Sequence, residues 1–447
     1  MIESRIFGHL WATQETAALF SDEGRTQGWL DVLAALAEAQ ADVGLVPRDA
    51  AAAIRAHSDV GLLDLDLVAA ETRASGHSTV GLIKALRDVL PAGAAEWVYY
   101  GATVQDLTDT WTALVFRAVG DIARRDLTRL RDRALALAAE HRTTAMCGRT
   151  HGQPGLPITF GFKAAVWAAE LDRQLRRLDA GRAGWEVVQL GGALGTMEFW
   201  GERALDLLDA FARRLRLAAP VVPWLTARDG VAEFVGLLAS AATTVAKIGN
   251  EVYELQRPEI GELREGFTPG TVGSITMPHK RNPEVSEHLV TLARVVRAQA
   301  ALALDGMLWE HERDARAWKA EWAFIPQACT AFAACVSLGG SMLDGLRVDV
   351  PRMRANIDAH RGYLMSEPVM RALAERVGKH TAQESVYAAA MHGIEEGLDF
   401  RTALRCDPRT ACVDAADVDR LLDVSRSLGS CAAFVDRVTE SCAREAR

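Results

Sequence analysis

Between Gly266 and Pro283 the chain sets Ser274, Lys280 and Asn282 among Gly266, Gly270, Gly273, Pro269, Pro278 and Pro283. Glycines permit backbone angles and motions that other residues resist, whereas prolines narrow the alternatives. The composition therefore predicts a loop that closes over a ligand. Ser274 is the residue expected to react. A serine hydroxyl is a poor base at neutral pH, but desolvation under a closed loop, a nearby cation and backbone N–H donors stabilise its alkoxide. Lys280 offers that cation, or a clamp for a substrate carboxylate, and the Asn282 amide offers hydrogen bonds.

Such a loop needs rigid elements to hold it, and most of the remaining sequence reads at helical period. Over residues 287–304, Leu289, Leu292, Val296, Ala300 and Leu304 recur three to four apart and share one face. The same pattern predicts helices over residues 29–43, 107–119, 156–178, 231–255 and 367–377, many rich in Ala and Leu. Strand signals are nearly absent, so the fold class is expected to be all-α. Short segments dense in Gly, Pro, Thr and polar residues separate the helices at 101–106, 148–157, 189–196 and 266–283. Composition shifts near 91–103 and 352–362 divide the chain into an N-terminal helical region (1–100), a central bundle (101–350) and a C-terminal helical region (351–447).

With 447 residues, 49% of them hydrophobic and 24% charged, the chain has the makings of a folded globular protein with a sizeable core. A net charge of -9 leaves no electrostatic footprint for nucleic acid or an anionic membrane surface. Seven scattered cysteines without C-x-x-C spacing predict neither a disulfide framework nor a zinc site. No metal-ligand cluster or cofactor motif is evident; Gly76 and Gly81 have P-loop spacing, but Leu82 follows where lysine is needed. Hydrolase signatures such as G-x-S-x-G and H-E-x-x-H are missing too. The N-terminus does not read as a signal peptide, and no uninterrupted 18-residue apolar run is seen, so a cytoplasmic protein is expected.

The string from Gly273 through Ser274, Met277, Pro278, Lys280, Asn282 and Pro283 closely resembles the G-S-S-x-M-P-x-K-x-N-P signature of the fumarase/aspartase superfamily. Three further segments are similar in the order that family requires: G-A-T-V-Q-D from Gly101, R-T-H-G-Q from Arg149, and the glycine-rich Q-L-G-G-A-L-G-T from Gln189. The resemblance covers nearly the whole chain. It implies a bundle of long helices assembled as a homotetramer, with each active site combining segments from three subunits. It also implies anti-elimination from a small succinyl dicarboxylate to give fumarate, without cofactor or metal. In that scheme Ser274 is the base that removes a proton beside a carboxylate. Lys280 and Asn282 hold the carboxylate of the aci-carboxylate intermediate, Thr103, Gln105, Asp106, Thr150 and Gln189 line the site, and His151 is the acid or the group that orients it.

His77, in E-T-R-A-S-G-H, resembles a site histidine of the adenylosuccinate lyase branch, preceded by an apparent three-residue insertion. Arg313, in H-E-R-D, is a candidate carboxylate ligand, the alternative being a structural ion pair with Glu310 or another bundle acid. The stretch from Trp318 to Trp322, with Glu321, looks instead like 3-carboxy-cis,cis-muconate cycloisomerases, although those commonly carry Trp where His151 stands. Tyr99 replaces a frequent histidine and Val104 a usual serine, which weakens acid assistance. A stabilised anion such as nitrite leaves without protonation, so the pattern is similar to that expected of nitrosuccinate lyases. The alternatives are the cycloisomerase reaction or a C–N elimination like that of adenylosuccinate lyase.

Overall fold

The computed structural model of the chain describes residues 4–267, 270, 272–411 and 413–445, without the Glu445 side chain; Pro269 and Cys412 lie outside the described residues. Eighteen α-helices and two small antiparallel ribbons make up the described chain, an all-α architecture. The longest helices fall between residues 104 and 345. They are α2 (Val104–Glu140), α3 (Phe160–Trp185), α4 (Asp229–Gln256), α5 (Glu284–Asp305) and α6 (Ala315–Gly345). The chain divides into two compact units. One comprises residues 4–126, 174–245 and 291–337, the other residues 127–173, 246–290 and those from 338 onward.

In the first unit, α1 (Asp22–Asp42) starts at Ser21, whose hydroxyl accepts the Gly24 N–H at 3.0 Å, with Asp22 and Glu23 complementing the helix dipole. Its buried face, including Leu30, Leu33 and Leu36, packs against the helices Arg48–His57 and Ala204–Leu215. The resulting core takes in Leu107 at the start of α2 and Val188 and Leu190 at the entry to the glycine-rich bend. Hydrophobic burial thus anchors two of the segments expected to line the site.

The second unit holds the ribbon of β1 (Ala145–Thr150) and β2 (Gln153–Thr159) and a shorter one of β3 (Leu263–Arg264) and β4 (Arg347–Val348). Helix α7 (Val350–Asp358) packs on β1 and the turn Tyr363–Met365 on β2, around Cys147, Ile357, Leu364, Met365 and Val424. Farther along, Val369, Leu373, Phe400 and Leu404 form a separate core among short helices.

Two expectations are corrected here. Residues 148–157 form most of a β-hairpin rather than a loop, and 156–159 belong to β2, so the helix begins at Phe160. Pro154 and Pro157 obscured the strand signal, and a ribbon of only two strands accommodates their missing N–H groups; Pro157 also disfavours helix at Leu156. By length and composition α4 and α6 are each apolar enough to cross a membrane, yet 67% and 72% of their most apolar stretches are buried, as in core helices. Among the described residues, no disulfide joins any of the six cysteines.

Candidate active site

The first unit gathers five of the candidate residues into two hydrogen-bonded groups that share the backbone of the bend at residues 191–193. Helix α2 opens with Thr103 as its cap, and Asp106 reaches back so that its Oδ2 accepts the Thr103 N–H at 2.9 Å, half of a capping box. The same carboxylate also accepts the Gly191 N–H at 2.7 Å, the Gly192 N–H at 3.0 Å and Gln189 Nε2 at 3.4 Å. Glycine is required in this bend: Gly192 has φ +67°, and a Cβ on Gly191 would lie 2.9 Å from Gly195 Cα. Burial pushes the Asp106 carboxyl up to about 7, while the N–H groups of Thr103, Gly191 and Gly192 pull it back. Thr110 donates to the Gln189 carbonyl at 2.8 Å and accepts its N–H at 2.9 Å, and Gln189 Oε1 accepts the Trp224 N–H at 2.8 Å.

One residue earlier, Gln105 is 0% exposed. Its Nε2 donates to Asp109 Oδ2 (3.1 Å) and to the Leu225 carbonyl (2.6 Å), and its Oε1 accepts Arg313 Nε (3.1 Å). Arg313 Nη2 donates to the Ala193 carbonyl at 3.0 Å. The ion pair considered for Arg313 is not formed, because Glu310 pairs with Arg316 instead. Behind Gln105, Arg228 grips Asp109 at 2.8 and 3.2 Å and Glu321 at 2.7 Å through Nε, with a second, shorter contact to Glu321 through Nη2. Its guanidinium lies 4.8 Å from the Trp224 ring centroid and 5.0 Å from that of Trp309. Burial opposes the charge on Arg228, but Asp109 and Glu321 hold it protonated.

Tyr99 (φ +62°) stands beside this network. Burial pushes its phenol well above the usual range, reinforced by the Asp106 carboxylate, while the Thr79 side chain pulls it back. The Thr79 hydroxyl also lies 3.3 Å from His77 Nδ1, so the exposed His77 is tied to the same neighbourhood through one threonine.

In the second unit, Thr150 and Gln153 pair across the hairpin, and the two residues between them, His151 (φ +53°) and Gly152 (φ +73°), make the turn. Two successive positive φ values are the requirement of a type I′ hairpin, and histidine tolerates that region better than bulky residues. His151 is thereby presented at an exposed tip. Arg149 anchors the hairpin with two 2.8 Å bonds to Glu262, whose side chain is fully buried and also accepts Asn356 Nδ2 at 2.7 Å. Replacing Glu262 by Ala strips acceptors from both donors. We expect a loss of about 2–4 kcal/mol of stability and a fall in turnover, measured by chemical denaturation and initial rates.

The signature loop closes on itself. A Cβ on Gly273 would lie 2.6 Å from the Lys280 carbonyl, so the two arms touch backbone to backbone, and Asn282 Nδ2 donates to the Gly273 carbonyl at 2.7 Å. Ser274 Oγ accepts the Met277 N–H at 3.0 Å, a donor that favours its alkoxide. Lys280 is exposed, and Arg281 stacks 4.1 Å over Phe267. Glu265 secures the far side by accepting the Ser286 N–H at 2.7 Å and the Val285 N–H at 3.3 Å in the first turn of α5. Asn282 thus has a loop-closing bond, and Gln105 and Asp106, expected to line the site, are buried supports of the fold around it. Sequence reading passed over Asp109, Arg228, Glu262 and Glu265; each stands beside other polar or charged residues, as Glu262 does among Glu259, Arg264 and Glu265, so the local sequence does not single them out.

A family profile described as lyase matches residues 11–298, and one described as adenylosuccinate lyase C-terminus matches residues 362–438. The chain is 37% identical to an N-acetyl-S-(2-succino)cysteine lyase of Dickeya dadantii, over 98% of this chain and 96% of that protein. It is likewise 37% identical to a 3-carboxy-cis,cis-muconate cycloisomerase of Pseudomonas aeruginosa, over 97% and 95% of the two chains. A nitrosuccinate lyase of Streptomyces davaonensis is 35% identical, over 98% and 94%. Among solved structures, the 3-carboxy-cis,cis-muconate lactonizing enzyme of Pseudomonas putida superposes with a TM-score of 0.93 at 33% identity, covering 99% of this chain and all of that one.

Proposed function

Because the chain belongs to the fumarase/aspartase superfamily and is an enzyme of the lyase class, we propose that it catalyses anti-elimination from a 2-substituted succinate to give fumarate. The observation that carries this reading is Ser274, held in a self-closed loop with a backbone N–H on its oxygen. Ser274 removes the C3 proton, and the electron pair passes into the adjacent carboxylate as an aci-carboxylate. Lys280 and Arg313 bind carboxylate charge, with Asn282, Thr103 and Thr150 as further polar contacts. The C2 substituent then leaves with its bonding pair, and the C2–C3 double bond of fumarate forms. His151, at its hairpin tip, orients the reacting groups or supplies a proton to the departing one.

The leaving group is a stabilised anion. Tyr99 occupies the place of an acid, and burial makes its phenol a poor one, which supports a group that departs unprotonated. Nitrosuccinate, yielding nitrite, is the specific reading; a succinylated thiol is the nearest variant, in line with the relative named for N-acetyl-S-(2-succino)cysteine. The active site is completed in a cytoplasmic homotetramer, and the exposed Val272 and Ile275 beside Ser274 are apolar side chains that such assembly covers. A second reading, cycloisomerisation of 3-carboxymuconate, is favoured by the Trp318–Trp322 segment and by the likeness to the lactonizing enzyme.

The test offers purified protein each compound separately and follows fumarate, nitrite and free thiol. Nitrite rising in step with fumarate from nitrosuccinate is the expected result. Thiol release from the succinylated cysteine alone replaces the leaving group but keeps the reaction, whereas consumption of 3-carboxymuconate with no fumarate from any succinate overturns it.

A further inference from the structure

We propose that Gln105 is a positioning residue that acts through Arg313, fixing the guanidinium so that its fork-shaped end meets a substrate carboxylate. This rests on the reading of Arg313 as a carboxylate ligand. The amide of Gln105 has one workable orientation, because Nε2 faces two acceptors, Asp109 Oδ2 and the Leu225 carbonyl, which leaves Oε1 toward Arg313 Nε. A flipped amide would set oxygen against oxygen at two places and N–H against N–H at the third. Asp109 is in turn held by two bonds from Arg228, and Arg228 by Glu321 and the rings of Trp224 and Trp309. The first link of this chain, Gln105 to Asp109, spans one helical turn of α2.

The consequence falls on Arg313. Its Nε is spent on Gln105 and one Nη2 hydrogen on the Ala193 carbonyl, in the bend whose neighbouring glycines Asp106 holds. What is left is Nη1 and the second Nη2 hydrogen, the pair that binds a carboxylate at two points. A half-buried arginine without these two acceptors would swing among rotamers, and binding would bear the cost of ordering it. The buried ionic cluster therefore serves recognition at one remove.

The experiment is a double-mutant cycle on the intact enzyme between Gln105→Met and Arg313→Ala, with Gln105→Glu as a further variant. We expect Gln105→Met to raise KM about ten-fold or more while kcat stays within about three-fold, since the lost interaction serves binding. In the Arg313→Ala background the same change should add less than about two-fold. Gln105→Glu keeps an acceptor for Arg313 Nε and should bind better than Gln105→Met; a purely structural role predicts the reverse, because it sets a carboxylate beside Asp109. Additive effects in the cycle, or the reverse order of Glu and Met, overturn the proposal. Should Gln105→Met unfold, Arg228→Lys takes its place in the cycle with the same expectation. Calorimetric Kd values for fumarate run through the same cycle keep the test of Gln105 standing even if no substituted succinate is turned over.

Discussion

Ser274→Ala is expected to reduce turnover about 10³- to 10⁴-fold, the contribution of a positioned general base, with KM within about three-fold of wild type. The hydroxyl does no anchoring that would spread the damage. Its one described bond is to the Met277 N–H, in an exposed part of the loop where water replaces a lost acceptor at a cost of about 1 kcal/mol or less. The loop itself is closed elsewhere, by Asn282 on the Gly273 carbonyl and by Glu265 at the start of α5. Single-turnover rates and a melting curve separate chemistry from folding. Turnover near the wild-type value would remove Ser274 from the base role.

Arg228→Leu should cost about 3–5 kcal/mol of stability, because it leaves Asp109 and Glu321 as buried carboxylates without a counter-charge. Both acids are almost wholly enclosed, and burial already pushes Glu321 above the ordinary carboxylate range against the pull of Arg228. Replacing all three charges by apolar residues of similar size should recover much of the loss, as buried ion pairs often allow. Affinity should not recover with it, since Gln105 then lacks one of the two acceptors that orient its amide. Urea denaturation alongside KM reads both quantities. Recovery of stability and affinity together would mean that the cluster is a packing feature only.

The long helices were legible because their apolar residues repeat at a period that only a helix presents on one face. The signature loop was legible from its string of residue types. The hairpin under His151 was not: a two-residue turn of His151 and Gly152 carries no Asn-Gly signal, and two prolines interrupt the alternation of β2. Nor were the buried ion pairs around the candidate site, since Arg149 and Glu262 stand 113 residues apart and Asp109 and Arg228 119. Periodicity reports which face is buried, not which charged groups meet inside it. The same limit hid that Gln105 and Asp106, which the resemblance implies line the site, are both sealed from solvent.

The central claim is proton removal by anti-elimination, and a stereochemical label tests it most directly. A 2-substituted succinate that the enzyme consumes is prepared with deuterium at the C3 position anti to the leaving group, and the fumarate formed is examined by mass spectrometry and proton NMR. We expect fumarate free of deuterium, with a slowed rate that Ser274→Ala slows far more. Fumarate that retains the label, or loss of substrate without any fumarate, would contradict it.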